Sequence, residues 1–369
     1  MQTFHLLESK NYVAGGNVQI SLRDLPPKKR IKAFVLRLEA TWTQSGSPTA
    51  AAGDDLCRVF QNIEVGKRIK GTGAFFDRLN WMQRGGQLAM PGQVPATAST
   101  VFRRTLTCVV PFVDLYAMSM MDTAPLAEYF RDTPLIVDFA GAALFSTITI
   151  AGTLRTFAIL EDAEDGVVPS ALQMGYTDWS GQTMYLEPGL YTHAFLYKEA
   201  TGGSTVTNAE VTSVYAVVDG ATVVNLLRPE ELAITDDYFF AKGGAWRTES
   251  ATAPVVGEQL TDEPALTGGA AATVTMEWVP LLQVPANYKL TSCFEVKKSL
   301  RLDFQGSLTS FRVGWRRIEP RSAEQAVKAM AKAGIQHPNV NAIRAKTHSK
   351  KDLTGHKARM LSFLPLRHD

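Results

Sequence analysis

The sequence predicts an all-β protein built from two similar halves, and three observations carry that prediction. Short patterns recur in the same order at separations of 161 to 169 residues. Apolar and polar residues alternate along several segments, which is the period of a β-strand with one buried face. Long connections rich in small residues fall at equivalent places in the two halves. Ordered repetition of this kind usually reports a duplicated structural unit.

The repeat consists of four sets of residues. Leu25, Pro27, Ala33 and Phe34 correspond to Leu186, Pro188, Ala194 and Phe195; Phe75-Phe76 to Phe239-Phe240; Val110-Pro111 to Val279-Pro280; and Leu135, Asp138, Phe139 and Gly141 to Leu300, Asp303, Phe304 and Gly306. Each half would hold about 160 residues, enough for a domain with its own core. We expect one domain at residues 1–165, a second at residues 166–320 and a tail at residues 321–369.

Strands are predicted where the alternation is clearest. One such segment places five residues on a single face: Phe34, Leu36, Leu38, Ala40 and Trp42. A second places Phe311, Val313 and Trp315 on the core face. Asp219-Gly220 separates two apolar, β-branched runs, and this pair tolerates the positive φ angles of a tight two-residue hairpin. Both halves should therefore be mostly β.

One helix is predicted in the body, between two late strands of the first half at Asp122 to Arg131. Asp122 or Thr123 can cap it, Pro125 suits its first turn, and one face would carry Leu126, Tyr129 and Phe130. The corresponding segment of the second half, Asn287 to Phe294, has a poor helical pattern.

The long connections complete the fold prediction. Gln44 to Asp55, Arg84 to Thr100 and Trp246 to Thr273 are rich in Gly, Ala, Ser, Thr and Pro. Loops of this length are uncommon in compact domains unless they are functional or disordered. A repeated sandwich of short strands with one large loop per half is typical of a jelly roll. The predicted fold is two tandem eight-stranded jelly rolls with a short helix between late strands and a basic C-terminal tail.

Composition agrees with a globular protein. The chain is 45% hydrophobic and 20% charged, which suffices for two cores. No N-terminal leader pattern is present, and the longest apolar tract, Ala140 to Leu154, is interrupted by Ser and Thr. Cys57, Cys108 and Cys293 lack metal-ligand spacing and stand in apolar surroundings, so we expect reduced, buried thiols.

The tail differs in charge from the body. Residues 321–369 contain ten Lys or Arg and three Asp or Glu, a net charge of +7 that leaves −5 for the rest. Ser322 with Gln325 forms a capping-box pattern, and Gly334 supplies a stop, so a short helix should begin the tail. Its end carries an apolar cluster, Met360 to Leu366, flanked by Arg359 and Arg367. Such a segment suits an anionic lipid surface or nucleic acid, or it is a solvated tail that packs on a neighbour.

Patterns for catalysis or metal binding are weak throughout. The body contains only His5 and His193, and neither lies in a recognisable nucleophile elbow. Gly53-Asp54-Asp55 stands in a loop, and Gly71 and Gly73 form a lone Gly-x-Gly without the Lys of a phosphate loop or a following helix. The four tail histidines have no zinc spacing. We predict a protein that is not an enzyme and has no cofactor or metal.

A duplicated jelly-roll chain of this length, with large loops at one end of each half and a helix between late strands, resembles the major capsid proteins of tailless icosahedral bacteriophages that enclose an internal membrane, the tectivirus and corticovirus type. The resemblance is architectural and covers about residues 10 to 320. It implies trimers whose six jelly rolls imitate a hexagon, neighbouring trimers, minor capsid and vertex proteins as partners, and a location in the virion after synthesis in the host cytoplasm.

For this family, the tail is the segment expected to meet the internal viral membrane or a neighbouring subunit. Its candidate contact residues are Lys346, Lys350, Lys351, Lys357, Arg359, Phe363, Leu364 and Arg367. Direct binding of nucleic acid is the less favoured alternative. A second class of function stays open, a carbohydrate-binding or carbohydrate-active double jelly roll with Trp81, Trp179 or Trp246 as sugar platforms.

Overall fold

The computed structural model describes residues 2–44, 55–66, 68–84, 101–113, 124–144, 148–163, 171–179, 181–199, 206–227, 232, 246–250, 253–254, 274–276, 278–281, 294–307 and 310–319. Strands dominate these residues in both halves of the chain. The fold is a double jelly roll, as the sequence predicts.

The described residues of the first half form eight strands and one α-helix. They are β1 (Thr3–Asn11), β2 (Asn17–Ile20), β3 (Lys29–Gln44), β4 (Phe60–Val65), β5 (Ile69–Gly71), α1 (Gly73–Arg84), β6 (Val101–Pro111), β7 (Leu135–Phe139) and β8 (Ile148–Asp162). One sheet has the order β1-β8-β3-β6, and the other has the order β2-β7-β4-β5. Two four-stranded sheets with this interleaved order form an eight-stranded jelly roll.

The second half repeats the same order with further short strands. They are β9 (Ala171–Asp178), β10 (Thr183–Leu186), β11 (Gly189–Lys198), β12 (Val206–Thr207), β13 (Val211–Val218), β14 (Ala221–Leu227), β15 (Trp246–Ser250), β16 (Ala253–Pro254), β17 (Val274–Met276), β18 (Val279–Pro280), β19 (Phe294–Val296), β20 (Leu300–Gly306) and β21 (Phe311–Glu319). Its sheets have the orders β9-β21-β11-β18 and β10-β20-β13-β14. The positions match the first half strand for strand.

A single continuous sheet joins the two jelly rolls. Strand β5 of the first half lies parallel to β9 of the second, where Ile69 pairs with Met174. The backbone N–H of Met174 also donates to the carbonyl of Arg68 at 3.0 Å, an ordinary distance for a backbone hydrogen bond. The β2-β7-β4-β5 sheet of the first roll therefore continues directly into the β9-β21-β11-β18 sheet of the second.

The repeat at Phe139 and Phe304 is structural. Leu135 pairs with Ile20 as Leu300 pairs with Leu186. The N–H of Phe139 donates to the carbonyl of Gly16, and that of Phe304 donates to Gln182, both at 2.9 Å. Both rings are buried. Strands β7 and β20 therefore have the same register in the two halves, and the same face of each points inward.

The repeats that involve Leu186 and Phe195 are wrong in register. Leu186 takes the place of Ile20, not that of Leu25. Ile20 and Leu186 each pair with the first residue of the repeated Leu-Asp-Phe strand. In the first half Phe34 pairs with Val110, whereas in the second half Leu196 pairs with Val279. Phe195 is thus one residue out of step with Phe34. A slip of one residue turns a side chain to the opposite face of the sheet.

The helices differ from the prediction. Helix α1 was not predicted, and Phe75-Phe76 lies on it, not on a strand. The segment predicted as a helix contains only a short 3-10 helix, Ala127–Phe130, within its described part. There the carbonyl of Pro125 accepts from the N–H of Ile31, and Leu126 forms a bridge with Arg30. Pairing with β3 uses backbone groups that a regular helix would need.

The strand predictions largely hold. The five alternating residues of β3 are buried, and β13 and β14 form the hairpin at Asp219-Gly220, whose φ angles are +52° and +88°. On β21, Trp315 is only partly buried while Arg316 is fully buried, so the predicted alternation is wrong at its end. The predicted loop Trp246 to Thr273 contains the short strands β15 and β16 in its described part.

Two of the three cysteines lie in described residues. Cys57 and Cys108 are buried, reduced thiols, as predicted, whereas Cys293 lies outside the described residues. Burial raises the pKa of the Cys108 thiol well above its ordinary value, and the nearby Asp77 carboxylate adds to the rise. The segment Asn287 to Phe294, whose helical pattern is poor, falls outside the described residues except for its last residue. No helix among the described residues is long and apolar enough to cross a membrane.

Candidate assembly surface

The junction between the two jelly rolls is the best-defined feature of the chain that bears on function. Helix α1 follows β5 and packs against β4, β5 and β6 of its own half. Its Phe75 ring also stacks on Phe195 of β11, with centroids 5.8 Å apart and planes 16° apart. The helix of the first half therefore covers one face of a sheet of the second half.

The sequence of α1 explains why it fits this place. Thr72 caps the helix, because its hydroxyl accepts from the N–H of Phe75 at 3.1 Å. A Cβ on Gly73 would lie 1.9 Å from the carbonyl oxygen of Cys57, so only glycine allows this approach. A Cβ on Gly314 of β21 would lie 2.7 Å from the Phe195 ring and 3.0 Å from the Phe75 ring. Gly73 thus lets the helix approach Cys57, and Gly314 makes room for the aromatic contact.

A polar chain crosses the same junction. The Thr72 hydroxyl donates to the Glu199 carboxylate at 2.9 Å, and the Arg312 guanidinium donates to the same carboxylate at 2.5 Å and to Asp178 at 2.7 Å. Arg312 also lies over the Tyr176 ring, 4.5 Å from its centroid. Glu199 therefore links the cap of a first-half helix to a second-half strand.

Electrostatics at this junction favour the paired state. Burial is the largest single effect and works against the charge of Arg312, but Glu199, Tyr197, Asp178 and Tyr176 together outweigh it, and the pKa of the guanidinium is raised. Burial raises the pKa of the Tyr197 phenol well above its usual range, and Glu199 adds to the rise. Partly buried ion pairs in a drier environment are screened less than exposed ones.

Arg316 makes a hydrogen bond across the junction. Arg316 is fully buried, donates to the Thr192 hydroxyl at 2.9 Å and to the carbonyl of Phe112 at 3.4 Å. Phe112 follows β6 of the first half, so this side chain ties a second-half strand to the end of a first-half strand. The predicted alternation places Arg316 on the face opposite the core; its hydrogen bonds to Thr192 of its own half and to Phe112 of the other half account for its burial.

The remaining candidate sites separate into those the structure describes and those it does not. His5 lies on β1 and His193 on β11, in different halves. Among the described residues, no group of three or more His, Cys, Asp or Glu side chains is placed to hold a metal ion. Gly71 precedes helix α1 and Gly73 is its first residue, contrary to the sequence prediction, but a carboxylate, Glu199, already binds the cap residue Thr72.

The tail and the sugar platforms have separate outcomes. All predicted tail contacts, Lys346 to Arg367, lie outside the described residues. Trp179 is buried and packs edge-on against Phe304 with centroids 4.2 Å apart, so it is a core residue and not an exposed platform. The side chains of Trp81 and Trp246 lie outside the described part of the structure.

Comparison with solved structures matches nearly the whole chain to viral capsid proteins. The atomic structure of Sulfolobus Turreted Icosahedral Virus matches with a TM-score of 0.58 and 14% identity over 97% of this chain and 99% of that chain. The crystal structure of the major capsid protein of STIV gives 0.54 and 13% over 86% and 96%. The chain has the double jelly-roll fold of viral major capsid proteins. The PBCV-1 virus capsid shares this double jelly roll with a TM-score of 0.50 and 9% identity, over 86% of this chain and 93% of that chain.

Sequence comparison adds no further match. No protein-family model and no curated protein matches this double jelly-roll chain.

Proposed function

We propose that this chain is the major capsid protein of a tailless bacteriophage and builds an icosahedral shell around an internal membrane. The observation that carries the proposal is the junction, where a continuous sheet, a stacked aromatic pair and the hydrogen bonds of Thr72 with Glu199 and of Arg316 with Phe112 join two jelly rolls into one block. A block with two similar rolls presents six similar lateral faces when three copies close a ring. Fold similarity to viral capsid proteins supports the same conclusion.

The proposed division of labour follows the chain. Residues 1–165 and 166–320 form the two jelly rolls of the shell, and residues 321–369 form a tail on its inner side. The tail carries +7 and the body −5, so an interior with anionic lipid neutralises the tail. Neighbouring trimers, minor capsid proteins and vertex proteins are the partners expected of such a shell. No enzymatic step is part of this proposal.

The test is assembly of the purified chain. Light scattering coupled to size-exclusion chromatography should give the mass of three chains, and electron microscopy of source particles should show a repeating lattice of the protein. Obligate interfaces of this kind usually bury upwards of about 2,000 Å², so the trimer should persist at micromolar concentration. A monomer at high concentration, together with source particles that lack the chain, would refute the proposal.

A further inference from the structure

The outer face of strands β10, β20 and β13 in the second roll carries a patch of aromatic and charged side chains. Strand pairing aligns them in two adjacent rows, Tyr185, Arg301 and Val217 in one and Thr183, Asp303 and Tyr215 in the other. Tyr185 is 66% exposed, and none of the six residues is buried. The residues that alternate with them on the same strands are buried in the core. The patch is therefore open to solvent in the single chain.

Contacts within the patch hold its polar groups in place. The Arg301 Nε donates to one carboxylate oxygen of Asp303 at 2.8 Å, and Nη2 lies 2.7 Å from the same oxygen. The other oxygen accepts from the Thr183 hydroxyl at 2.6 Å. The Arg301 guanidinium also lies over the Tyr215 ring, 5.8 Å from its centroid. Side chains ordered in advance lose less conformational entropy when a partner binds.

The equivalent face of the first roll lacks this patch. Strand pairing matches three patch residues with polar or aliphatic residues of the first roll: Gln19 with Tyr185, Ile136 with Arg301 and Asn62 with Tyr215. Tyr and Arg are enriched among the residues that carry most of the energy of protein–protein contacts. The shared fold does not require these residue types, so we attribute them to a contact that the second roll makes.

The junction between the two rolls does not use this kind of face. The first roll contributes helix α1 and the β5 edge to the junction. The outward residues of its β2-β7-β4 face, among them Gln19 and Ile136, stay exposed or half-buried beside it. The corresponding face of the second roll is therefore available for a separate contact.

The charges of the patch complement a second copy of the same patch. Arg301 and Asp303 lie two positions apart on one strand, on the same side and about 7 Å from one another along it. Two such faces can stack about a two-fold axis that lies between them and runs across the strands. Arg301 then faces the partner's Asp303. An axis along the strand would instead place Arg301 opposite itself, with like charges together.

We propose that the β10-β20-β13 face binds the same face of a second copy of this chain, with the strands antiparallel across a two-fold axis. Each contact contains two ion pairs between Arg301 of one copy and Asp303 of the other. Opposite charges that face one another favour this orientation, and like charges penalise the alternatives. The inference rests on the proposed function where it names this face as the one through which second rolls of adjoining trimers meet.

Two complementary charge variants test the contact. The patch carries only negative charges in Arg301→Asp and only positive charges in Asp303→Arg. Each variant alone should remain a separate trimer with an unchanged circular dichroism spectrum. An equal mixture should contain at least tenfold more six-chain particles in sedimentation velocity, because negative rows then face positive rows. No contact inside one chain can produce this effect of mixing.

A second pair of variants tests the aromatic side chain. Tyr185→Ala should lower the six-chain fraction of the wild type at least tenfold at equal chain concentration. Gln19→Ala is the matched control, since Gln19 is exposed at the equivalent position of the first roll. The control should keep the wild-type fraction. Equal six-chain fractions for the two variants would contradict the contact.

The outcomes separate the inference from the proposed function. Trimers that never associate, either alone or mixed, would refute the two-fold contact and leave the capsid proposal standing, with the patch serving a partner of another kind. Single chains that never form trimers but pair only in the mixture would support the two-fold contact and refute the trimeric shell.

Discussion

Glu199 is the residue on which most of the polar junction depends. Its carboxylate accepts from Thr72 of the first half and from Arg312 of the second, and its side chain is only 10% exposed. Removing one partner of such a pair leaves the other charge poorly solvated. We expect Glu199→Ala to lower the free energy of unfolding by about 3 kcal/mol in urea titration.

The control for Glu199 is an exposed ion pair. Lys10 lies 3.1 Å from Glu8 with 45% of its side chain exposed, so Lys10→Ala should cost less than about 1 kcal/mol. If Glu199→Ala costs no more than Lys10→Ala, the polar chain does not stabilise the junction.

Asp219 holds a turn through its charge. Its carboxylate accepts backbone N–H groups of Lys297 at 2.8 Å, Lys298 at 2.6 Å and Ser299 at 3.2 Å. Burial is the largest single effect and opposes the charge, but the three donors and the charge of Lys297 together outweigh it and hold the pKa of Asp219 below its ordinary 3.8. A carboxyl whose pKa is lowered on folding stabilises the fold above about pH 4, and this contribution is lost as the pH falls through the folded-state pKa.

Asp219→Asn tests that contribution, because Asn also tolerates a positive φ. The variant should be less stable than the wild type at pH 7, by less than about 1 kcal/mol because the side chain is exposed. The two proteins should converge near pH 2, which chemical unfolding at both pH values measures. A difference that persists undiminished at pH 2 would show that the charge of Asp219 is not its cause.

At the scale of the element, α1 depends on close approach to the 3-10 helix Asp55–Val59. The Cβ of Gly73→Ala would meet the Cys57 carbonyl, which is backbone and has little freedom to move. We expect the free energy of unfolding of this variant to be about 3 kcal/mol lower than that of the wild type. Gly141→Ala is the control, since nothing lies within 4 Å of its Cβ, and it should change stability by less than about 0.5 kcal/mol. Similar values for the two variants would contradict the packing argument.

The same helix shows where sequence reasoning ends. Strands such as β3 were predictable because one face is buried and the other exposed, which gives a period of two. Helix α1 is buried from Ala74 to Asn80 on every side, so no amphipathic stripe marks it. Its cap, Thr72 three residues before Phe75, was the available signal.

Register was the second limit. Phe139 and Phe304 were matched correctly because the repeated Leu-Asp-Phe strand has a distinctive order. Phe34 and Phe195 were matched one residue out of step, since apolar residues fill both faces of β11. A strand that is buried on both faces carries no alternation that could fix its register. The junction itself could not be predicted, because its contacts join residues more than a hundred positions apart.

At the scale of the whole molecule, the two rolls form one continuous block. A sheet runs from the first roll into the second, and Phe195 of the second roll is buried against Phe75 of the first. Phe4 and Leu6 on the edge strand β1 are exposed, and exposed apolar side chains of this size favour association.

The tail is the segment through which the shell would meet its contents. Deleting residues 335–369 should leave the unfolding of both jelly rolls unchanged, because their cores lie in the body. It should reduce the particle yield, and it should weaken binding to vesicles of anionic phospholipid at least tenfold at low salt.

A second variant separates the charge of the tail from its length. It replaces Lys346, Lys350, Lys351 and Lys357 by Gln and keeps the full length of the tail. This variant should lose the same binding, and the wild type should lose it near 0.5 M salt, where the Debye length falls to about 4 Å. Wild-type yield and wild-type vesicle binding in the truncated chain would show that the tail does not contact the membrane.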